Sequence, residues 1–239
     1  MDWSAFFTIH QDLPREGPGE SADVHWALKT AGVFGTVRVL DAACGPGADL
    51  VTLAEDLPSA TITGIEKHTG FVAQAHSRVA SFGPRVQVIE GEMADPGGPY
   101  DFIWCAGALY FLGVTEGLSL WKDALSPGGK IAFSEPVLLD GPQPAEVSEF
   151  WEEYPSITKM DGIHNRIKAP GYRVTDTRMI VGAPWEAYYA PMVARIAKLR
   201  AEDPSPALTE ALDLSAREAE LWAAVPDHIA YALFVVQPE

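Results

Sequence analysis

The sequence predicts a doubly wound α/β fold with a seven-stranded, mostly parallel sheet, and two observations support this fold class. Seven short runs rich in β-branched residues alternate with helical patterns along most of the 239 residues. The first five runs are almost continuously apolar, as expected of strands that are buried on both faces. Strands that alternate with helices are joined by right-handed crossovers, which give a parallel sheet of the Rossmann-like kind.

Each predicted element is bounded by turn residues or by a change in the spacing of the apolar residues. The strands are expected at 37–41, 61–66, 86–91, 100–105, 129–135, 173–180 and 229–236. The helices between them are expected at 48–56, 69–82, 115–125 and 146–154. The stretch "SPGG" before the fifth strand is a strong turn signal.

Two segments stand outside the alternation. Residues 1–36 precede the first strand and contain one predicted helix at 22–31. Residues 183–225 separate the last two strands and are predicted to form two helices with a break at "DPSP". Both segments are too short for an independent core. We therefore expect residues 1–239 to form a single domain, with an N-terminal lid (1–36) and a helical insertion (183–225) over the sheet.

The composition excludes several classes of function. A net charge of −16 argues against binding to nucleic acid or to an anionic membrane, which both need clustered Lys and Arg. The longest apolar run, residues 102–114, is shorter than the ~18 residues that a membrane-spanning helix needs. The N-terminus lacks the basic region of a secretory signal. Two cysteines cannot form a disulfide framework, and they suit a cytoplasmic location.

The stretch "VLDAACGPGAD" after the first strand predicts a cofactor site. Gly45 and Gly47 allow the backbone to approach a ligand closely, but the third glycine of the dinucleotide fingerprint is absent. Asp41 and Asp49 flank the loop, and their carboxylates would repel a pyrophosphate. S-adenosylmethionine has no phosphate and carries a sulfonium and an ammonium group, so it suits these acids better. A tight turn without a ligand is the alternative.

Acids also follow the second and third strands. Glu66 is placed to accept both ribose hydroxyls of an adenosine, which fits NAD as well as S-adenosylmethionine. Glu92 is placed to accept from the adenine amino group, with the Met93 backbone N–H on a ring nitrogen, and Asp95 competes with Glu92 for that role. Three consecutive strands that each end in an acid indicate an adenosine-containing cofactor more specifically than the glycines alone.

These motifs resemble those of the class I S-adenosylmethionine-dependent methyltransferases over about residues 30–240, and more narrowly a bacterial small-molecule group. The similar stretches are "VLDAACGPG", "GIEKH", "GEMAD", "DFIWCAGALYFLG" and "LSPGGKIAFSEP". The resemblance implies the strand order 3-2-1-4-5-7-6 with an antiparallel last strand. Ala43 stands where the family often has glycine, so we expect this backbone position to tolerate a Cβ.

The predicted cofactor site includes further residues near these motifs. Arg15 is placed to reach the methionine carboxylate as the N-terminal segment closes, although a surface position is nearly as compatible with the sequence. Gly19, Ala43, Lys67 and Ala106 complete the predicted set.

The sequence predicts no metal site. It lacks the acidic and amide cluster of Mg²⁺-dependent O-methyltransferases, and its histidines have no metal-ligand spacing. The loop after the fourth strand also lacks the D/N-P-P-F/Y/W signature of enzymes that methylate exocyclic amines of nucleobases. We therefore expect a small-molecule acceptor, and the oligomeric state stays open, with a homodimer as one option.

The sequence indicates the acceptor-binding residues less clearly than the cofactor-binding residues. Tyr110 follows the fourth strand and Glu135 ends the fifth, so both should line the cleft and orient the acceptor or take its proton. The alternatives are that Tyr110 is an aromatic ring packed in the interior and that Glu135 is an ordinary loop acid. Trp185, Tyr188 and Tyr189 either wall the acceptor pocket or form the core face of their own helix. A non-catalytic module that binds the cofactor and an NAD(P)-dependent oxidoreductase are the alternative functions.

Overall fold

The computed structural model describes residues 3–239, with side chains from residue 4 onwards, so Met1 and Asp2 of the predicted lid lie outside the described residues. The strands are β1 (Arg38–Ala42), β2 (Thr61–Glu66), β3 (Val86–Glu90), β4 (Tyr100–Cys105), β5 (Leu125–Val137), β6 (Tyr172–Ile180) and β7 (Ala230–Pro238). The helices are α1 (Trp3–His10), α2 (Ser21–Ala31), α3 (Ala48–Asp56), α4 (Thr69–Val79), α5 (Val114–Leu120), α6 (Ala145–Phe150), α7 (Met160–Lys168), α8 (Ala183–Arg200) and α9 (Pro206–Ala224).

The seven strands of the described chain form one sheet in the order β3-β2-β1-β4-β5-β7-β6. The first five strands pair in parallel, and β7 lies antiparallel between β5 and β6. The predicted fold class and strand order are thus confirmed. Because β1 to β5 run in the same direction, their carboxyl ends meet at one edge of the sheet, and the acids that follow β1 and β2 converge there.

Helices cover both faces of the sheet. Side chains of α2, α3 and α4 pack on one face, together with those of α1, α8 and α9. Side chains of α5 and α7 pack on the other face. The helices of the predicted insertion, α8 and α9, are separated by a short break at 201–205, where Ser205 caps α9 by accepting a hydrogen bond from the Leu208 backbone N–H.

Some predicted boundaries differ from the structure. The helix expected at 69–82 ends at Val79 and continues as a 3₁₀ turn over Ala80–Arg85, because Gly83 has a non-helical φ of 66° and Pro84 follows it. The helices α1 and α7 were not among the predicted elements. Helix α7 buries only Ile163 and Ile167, a single i, i+4 pair that gives a weak periodic signal.

Ala43 has a φ of 59°, which places a residue with a Cβ in the left-handed region at the start of the cofactor loop. The expectation that this position tolerates a Cβ is correct only at a conformational cost, about 1–2 kcal/mol for a residue other than glycine. Glycine would remove that cost and lose more backbone entropy on folding, about 0.5–1 kcal/mol.

We therefore predict that Ala43→Gly raises the free energy of unfolding by up to about 1 kcal/mol. Urea denaturation followed by circular dichroism measures this change. Ala42→Gly is the matched control, because Ala42 lies in β1 and is fully buried, so its replacement should destabilise the protein. Equal destabilisation by both substitutions would show that Ala43 is not strained.

Candidate active site

The loop after β1 turns sharply into α3. Gly45 and Gly47 have φ values of 53° and 88°, so both adopt the left-handed region that favours glycine. A Cβ on Gly47 would lie 3.0 Å from the Cα and Cβ atoms of Ala75 in α4. The glycines therefore let the loop pack tightly against a neighbouring helix while its backbone lines the sheet edge.

Asp41 is the most unusual carboxylate in this region. It is 2% exposed, and among the described residues its Oδ2 has no hydrogen-bond partner. Burial raises the pKa of Asp41 well above its usual value, and the nearby carboxylates of Asp49 and Glu66 raise it further. A cationic group bound beside Asp41 would offset both effects.

Asp49 is held in place by two donors. One oxygen accepts from the Arg15 guanidinium at 2.8 Å, and the other accepts from the Trp104 indole N–H at 3.0 Å. A small cleft beside Asp49 is lined by Arg15, Gly19 and Ala106. The structure thus brings together these three residues of the predicted cofactor set. Neither Trp104 nor its bond to Asp49 was predicted from the sequence.

Glu66 connects β2 to the glycine loop. Its Oε2 accepts from the Gly45 backbone N–H at 3.0 Å, and its Oε1 accepts from the His68 backbone N–H at 2.8 Å. Each carboxylate oxygen can accept a second hydrogen bond. Glu66 therefore shapes the loop and keeps the capacity to bind two hydroxyls.

Lys67 and Glu92 of the predicted cofactor set follow β2 and β3 and lie at the surface. Lys67 and Glu92 form an ion pair of 2.8 Å with side chains that are 75% and 60% exposed. The Met93 carbonyl accepts a hydrogen bond from the Trp121 indole at 2.7 Å, which fixes the backbone of this stretch.

The N-terminal segment lies over the glycine loop. A Cβ on Gly45 would be 3.4 Å from Cγ of Glu16, and Glu16 pairs with His10 at 2.7 Å. The Phe7 ring stacks on His68 with the ring centroids 3.3 Å apart, so His68 lies under α1. The cleft thus has a cover that includes Glu16 and His10, which were not predicted.

The Arg78 guanidinium anchors this cover to α4. It donates to the backbone carbonyls of Leu13 and Pro14, in the segment that follows α1. These are long-range contacts between the N-terminal segment and a helix of the main fold.

Glu135 is fully buried at the end of β5. Its Oε1 accepts from the Tyr154 hydroxyl at 2.7 Å and lies 3.7 Å from Nη1 of Arg166 in α7. Within residues 3–239 its Oε2 has no hydrogen-bond partner. Burial raises the pKa of Glu135 to about 7, although the Tyr154 bond and Arg166 oppose this rise. Neither partner was predicted from the sequence.

Tyr110 lies near Glu135. Its ring centroid is 5.3 Å from that of Tyr154, and its hydroxyl lies near that of Tyr231. Burial raises its pKa, which disfavours a tyrosinate. The structure therefore brings the two predicted acceptor residues into one neighbourhood at the sheet edge.

The three aromatic residues at the start of α8 are part of the core. Trp185 and Tyr189 are each 2% exposed, and the Trp185 indole donates to the Ile180 carbonyl at 3.0 Å. Tyr188 is 9% exposed. The core-face alternative thus describes all three residues.

In residues 3–239, no group of three or more His, Cys, Asp or Glu side chains is arranged to hold a metal ion. Over the same residues, no helix combines the length and apolar character needed to cross a membrane.

Sequence comparison shows that part of this chain is similar to known methyltransferases. Residues 39–129 match a family described as a methyltransferase domain. The chain is 33% identical over 110 residues to a trans-aconitate 2-methyltransferase from Streptomyces avermitilis, which covers 44% of this chain and 41% of that protein. It is also 33% identical over 119 residues to the aklanonic acid methyltransferase DauC from a Streptomyces species, covering 47% of this chain and 54% of the relative. The matched part is therefore less than two thirds of either relative.

The fold extends the comparison to the whole chain. A crystal structure of an S-adenosylmethionine-dependent methyltransferase from Geobacter sulfurreducens, in complex with S-adenosylhomocysteine, has a TM-score of 0.86 at 22% identity and covers 99% of this chain and 98% of that one. The sheet order and the loop after β1 define a Rossmann-like fold. The sequence is similar to a methyltransferase domain over residues 39–129, and the fold is similar to that of the Geobacter methyltransferase over the whole chain.

The raised pKa of Glu135 predicts a pH-dependent contribution to stability. The folded carboxyl has a pKa of about 7, against 4.5 when unperturbed, so the unfolded chain releases its proton first as pH rises. The stability contributed by the protonated form is complete below pH 4.5 and is lost as pH rises through about 7. Glu135→Gln should therefore raise the melting temperature, relative to the parent chain, more at pH 8 than at pH 5.

Thermal melts of both proteins at the two pH values measure this difference. Glu152→Gln is the control, because Glu152 is exposed. If the difference in melting temperature between Glu135→Gln and the parent chain does not change with pH, the result would contradict the burial of an ionisable carboxyl.

Proposed function

We propose that this chain binds S-adenosylmethionine at the carboxyl ends of β1 to β3 and transfers its methyl group to a small-molecule acceptor. The observation that carries the proposal is the convergence of three carboxylates, those of Asp41, Asp49 and Glu66, on a glycine loop. Such a loop is electrostatically unsuited to a pyrophosphate and suited to a ligand with an ammonium and a sulfonium group. The names of the relatives and the family match support the same activity.

The residues of the cleft fit this ligand in chemistry. The unpartnered oxygen of Asp41 suits the amino group, the Arg15 guanidinium suits the carboxylate, and Glu66 suits the two ribose hydroxyls. Lys67, Glu92 and Met93 lie where an adenine edge would be recognised. When bound, the cofactor supplies a methyl group on a sulfonium that is activated for in-line displacement.

The chain's own task is to align the acceptor and to exclude water. Glu135 is the group best suited to take a proton from the acceptor, because its pKa of about 7 is near neutral pH. The Tyr154 hydroxyl holds the Glu135 carboxylate in position. Tyr110 is the neighbouring group that we expect to orient the acceptor.

We propose that the N-terminal segment and the insertion formed by α8 and α9 act as a lid, which restricts the acceptor to a small molecule. The contacts of Glu16 and Phe7 above the loop and above His68 support a closed cleft. The acidic surface disfavours a nucleic acid. The two free, buried cysteines suit a cytoplasmic location.

Turnover of methyl-labelled S-adenosylmethionine in the presence of a metabolite extract tests the activity. Label in a small organic product is the expected result. Tight binding of S-adenosylhomocysteine without transfer to any compound in the extract would favour a non-catalytic module.

Glu66→Ala should weaken binding of S-adenosylhomocysteine about ten- to a hundredfold, because two ribose hydroxyls would lose a charged acceptor, a cost of roughly 2–3 kcal/mol. Isothermal titration calorimetry measures the affinity. Glu55→Ala is the control, because it removes the same charge from an exposed position of α3. Since Glu66 also holds the loop, circular dichroism must show a folded variant, and unchanged affinity in that variant would remove Glu66 from the ribose site.

Arg78→Ala should loosen the lid, because it removes the bonds to the Leu13 and Pro14 carbonyls. We expect faster amide hydrogen exchange in residues 11–16 and a roughly five- to tenfold faster release of S-adenosylhomocysteine, in line with the loss of about 1 kcal/mol of interaction. Exchange mass spectrometry and stopped-flow fluorescence measure the two effects. Arg173→Ala, in the edge strand β6, is the control, and an unchanged release rate despite faster exchange would show that this segment does not gate the site.

A further inference from the structure

Glu16 is a carboxylate in the cover of the cleft, and the proposed function assigns no ligand to it. It follows α1 in the N-terminal segment, and its side chain is 19% exposed. Its Cγ lies 3.4 Å from the position that a Cβ on Gly45 would take. The side-chain stem of Glu16 therefore packs directly on the glycine loop, where the proposed function places the cofactor.

Glu16 and Glu66 both contact Gly45. The Gly45 backbone N–H donates to Oε2 of Glu66 at 3.0 Å, while the Cγ of Glu16 packs against the Gly45 Cα. These contacts to one residue place the two carboxylates in the same neighbourhood. Desolvation raises the pKa of Glu16, and the charge of Glu66 adds to this rise, although His10 opposes it.

One carboxylate oxygen of Glu16 has no donor. Oε2 pairs with Nδ1 of His10 at 2.7 Å, whereas within residues 3–239 the buried Oε1 has no hydrogen-bond partner. A buried acceptor that has lost its water is destabilising until another group takes the place of that water. The free oxygen of Glu16 is thus available to a positively charged group of a ligand.

The arginines close to Glu16 in the sequence and in the fold are engaged elsewhere. Arg15 donates to Asp49 at 2.8 Å, and Arg78 donates to two backbone carbonyls of the N-terminal segment. Among the ion pairs of the described residues, His10 is the one partner of Glu16. The charge of Glu16 is therefore not neutralised by a guanidinium.

The position of Glu16 on the loop indicates which part of the cofactor it would meet. On the proposed function, Asp41, which precedes the loop, receives the ammonium group, and Glu66, which is bonded to Gly45, receives the ribose hydroxyls. In S-adenosylmethionine the sulfonium sulfur joins the ribose to the chain that bears the ammonium group. A carboxylate that contacts Gly45 is therefore placed beside the part of the cofactor that carries the sulfur.

Resting on the proposed function, we propose that Glu16 is a cofactor-binding residue that selects the methylated, cationic cofactor over its neutral product. The unpartnered oxygen of Glu16 is attracted by the positive charge on sulfur. Methyl transfer leaves the electrons of the broken carbon–sulfur bond on sulfur, so S-adenosylhomocysteine lacks that charge and loses this attraction. The N-terminal segment thus closes more firmly on the substrate form of the cofactor than on the product form.

Calorimetric titration without an acceptor tests this proposal, because the two probes differ by one methyl group and its charge. The parent chain should bind S-adenosylmethionine at least about threefold tighter than S-adenosylhomocysteine. Glu16→Gln should lower that ratio of affinities at least about threefold, because the variant loses the charge that faces the sulfonium. Glutamine can still accept a hydrogen bond from His10, so the variant should fold, and circular dichroism checks this.

Asp12→Asn is the matched control, because Asp12 is exposed in the same segment and the change removes the same charge. Asparagine tolerates the left-handed φ of 65° at this position, so the ratio of affinities should equal that of the parent chain.

Three results would overturn the proposal. They are equal affinities of the parent chain for the two probes, a ratio that Glu16→Gln lowers no more than Asp12→Asn does, and an equal loss of affinity for both probes in Glu16→Gln. The last result would show that Glu16 only supports the lid. Failure of the parent chain to bind either probe would instead refute the proposed function.

Discussion

Three carboxylates, those of Asp41, Asp49 and Glu66, lie close together around the loop between β1 and α3, and the rest of the cleft is arranged around their mutual repulsion. Backbone N–H groups satisfy Glu66, while a guanidinium and an indole satisfy Asp49. Of these three carboxylates, Asp41 is the one with a buried oxygen that has no hydrogen-bond partner within residues 3–239. The parallel sheet imposes this constraint, because it places the ends of its central strands at one edge.

The cover of the cleft follows from the same geometry. Glu16 lies against the glycine loop, and its carboxyl is desolvated there, which raises its pKa, although His10 opposes the rise. The N-terminal segment thus adds a further acid to a site that already has three. Such a site is stabilised by cationic ligands and destabilised without them.

The sequence predicted what local patterns determine. The strands and α3 were predicted because apolar runs and the glycines at 45 and 47 are short-range signals. Contacts between distant segments were not predicted: the bond from Trp104 to Asp49 spans 55 residues, and Tyr154 reaches Glu135 from a turn after α6. Trp185 has the same helical spacing whether it packs in the core or lines a pocket, so only its burial in the folded structure decides between them.

Calorimetry with three adenosine-containing ligands tests the central claim most directly. S-adenosylhomocysteine carries the ammonium and carboxylate groups, 5′-methylthioadenosine lacks both, and NAD carries a pyrophosphate. If the three carboxylates form an ammonium site, S-adenosylhomocysteine should bind at least tenfold tighter than 5′-methylthioadenosine, corresponding to about 1.4 kcal/mol, and NAD should show no binding. Equal affinity for S-adenosylhomocysteine and 5′-methylthioadenosine, or measurable affinity for NAD, would contradict the account.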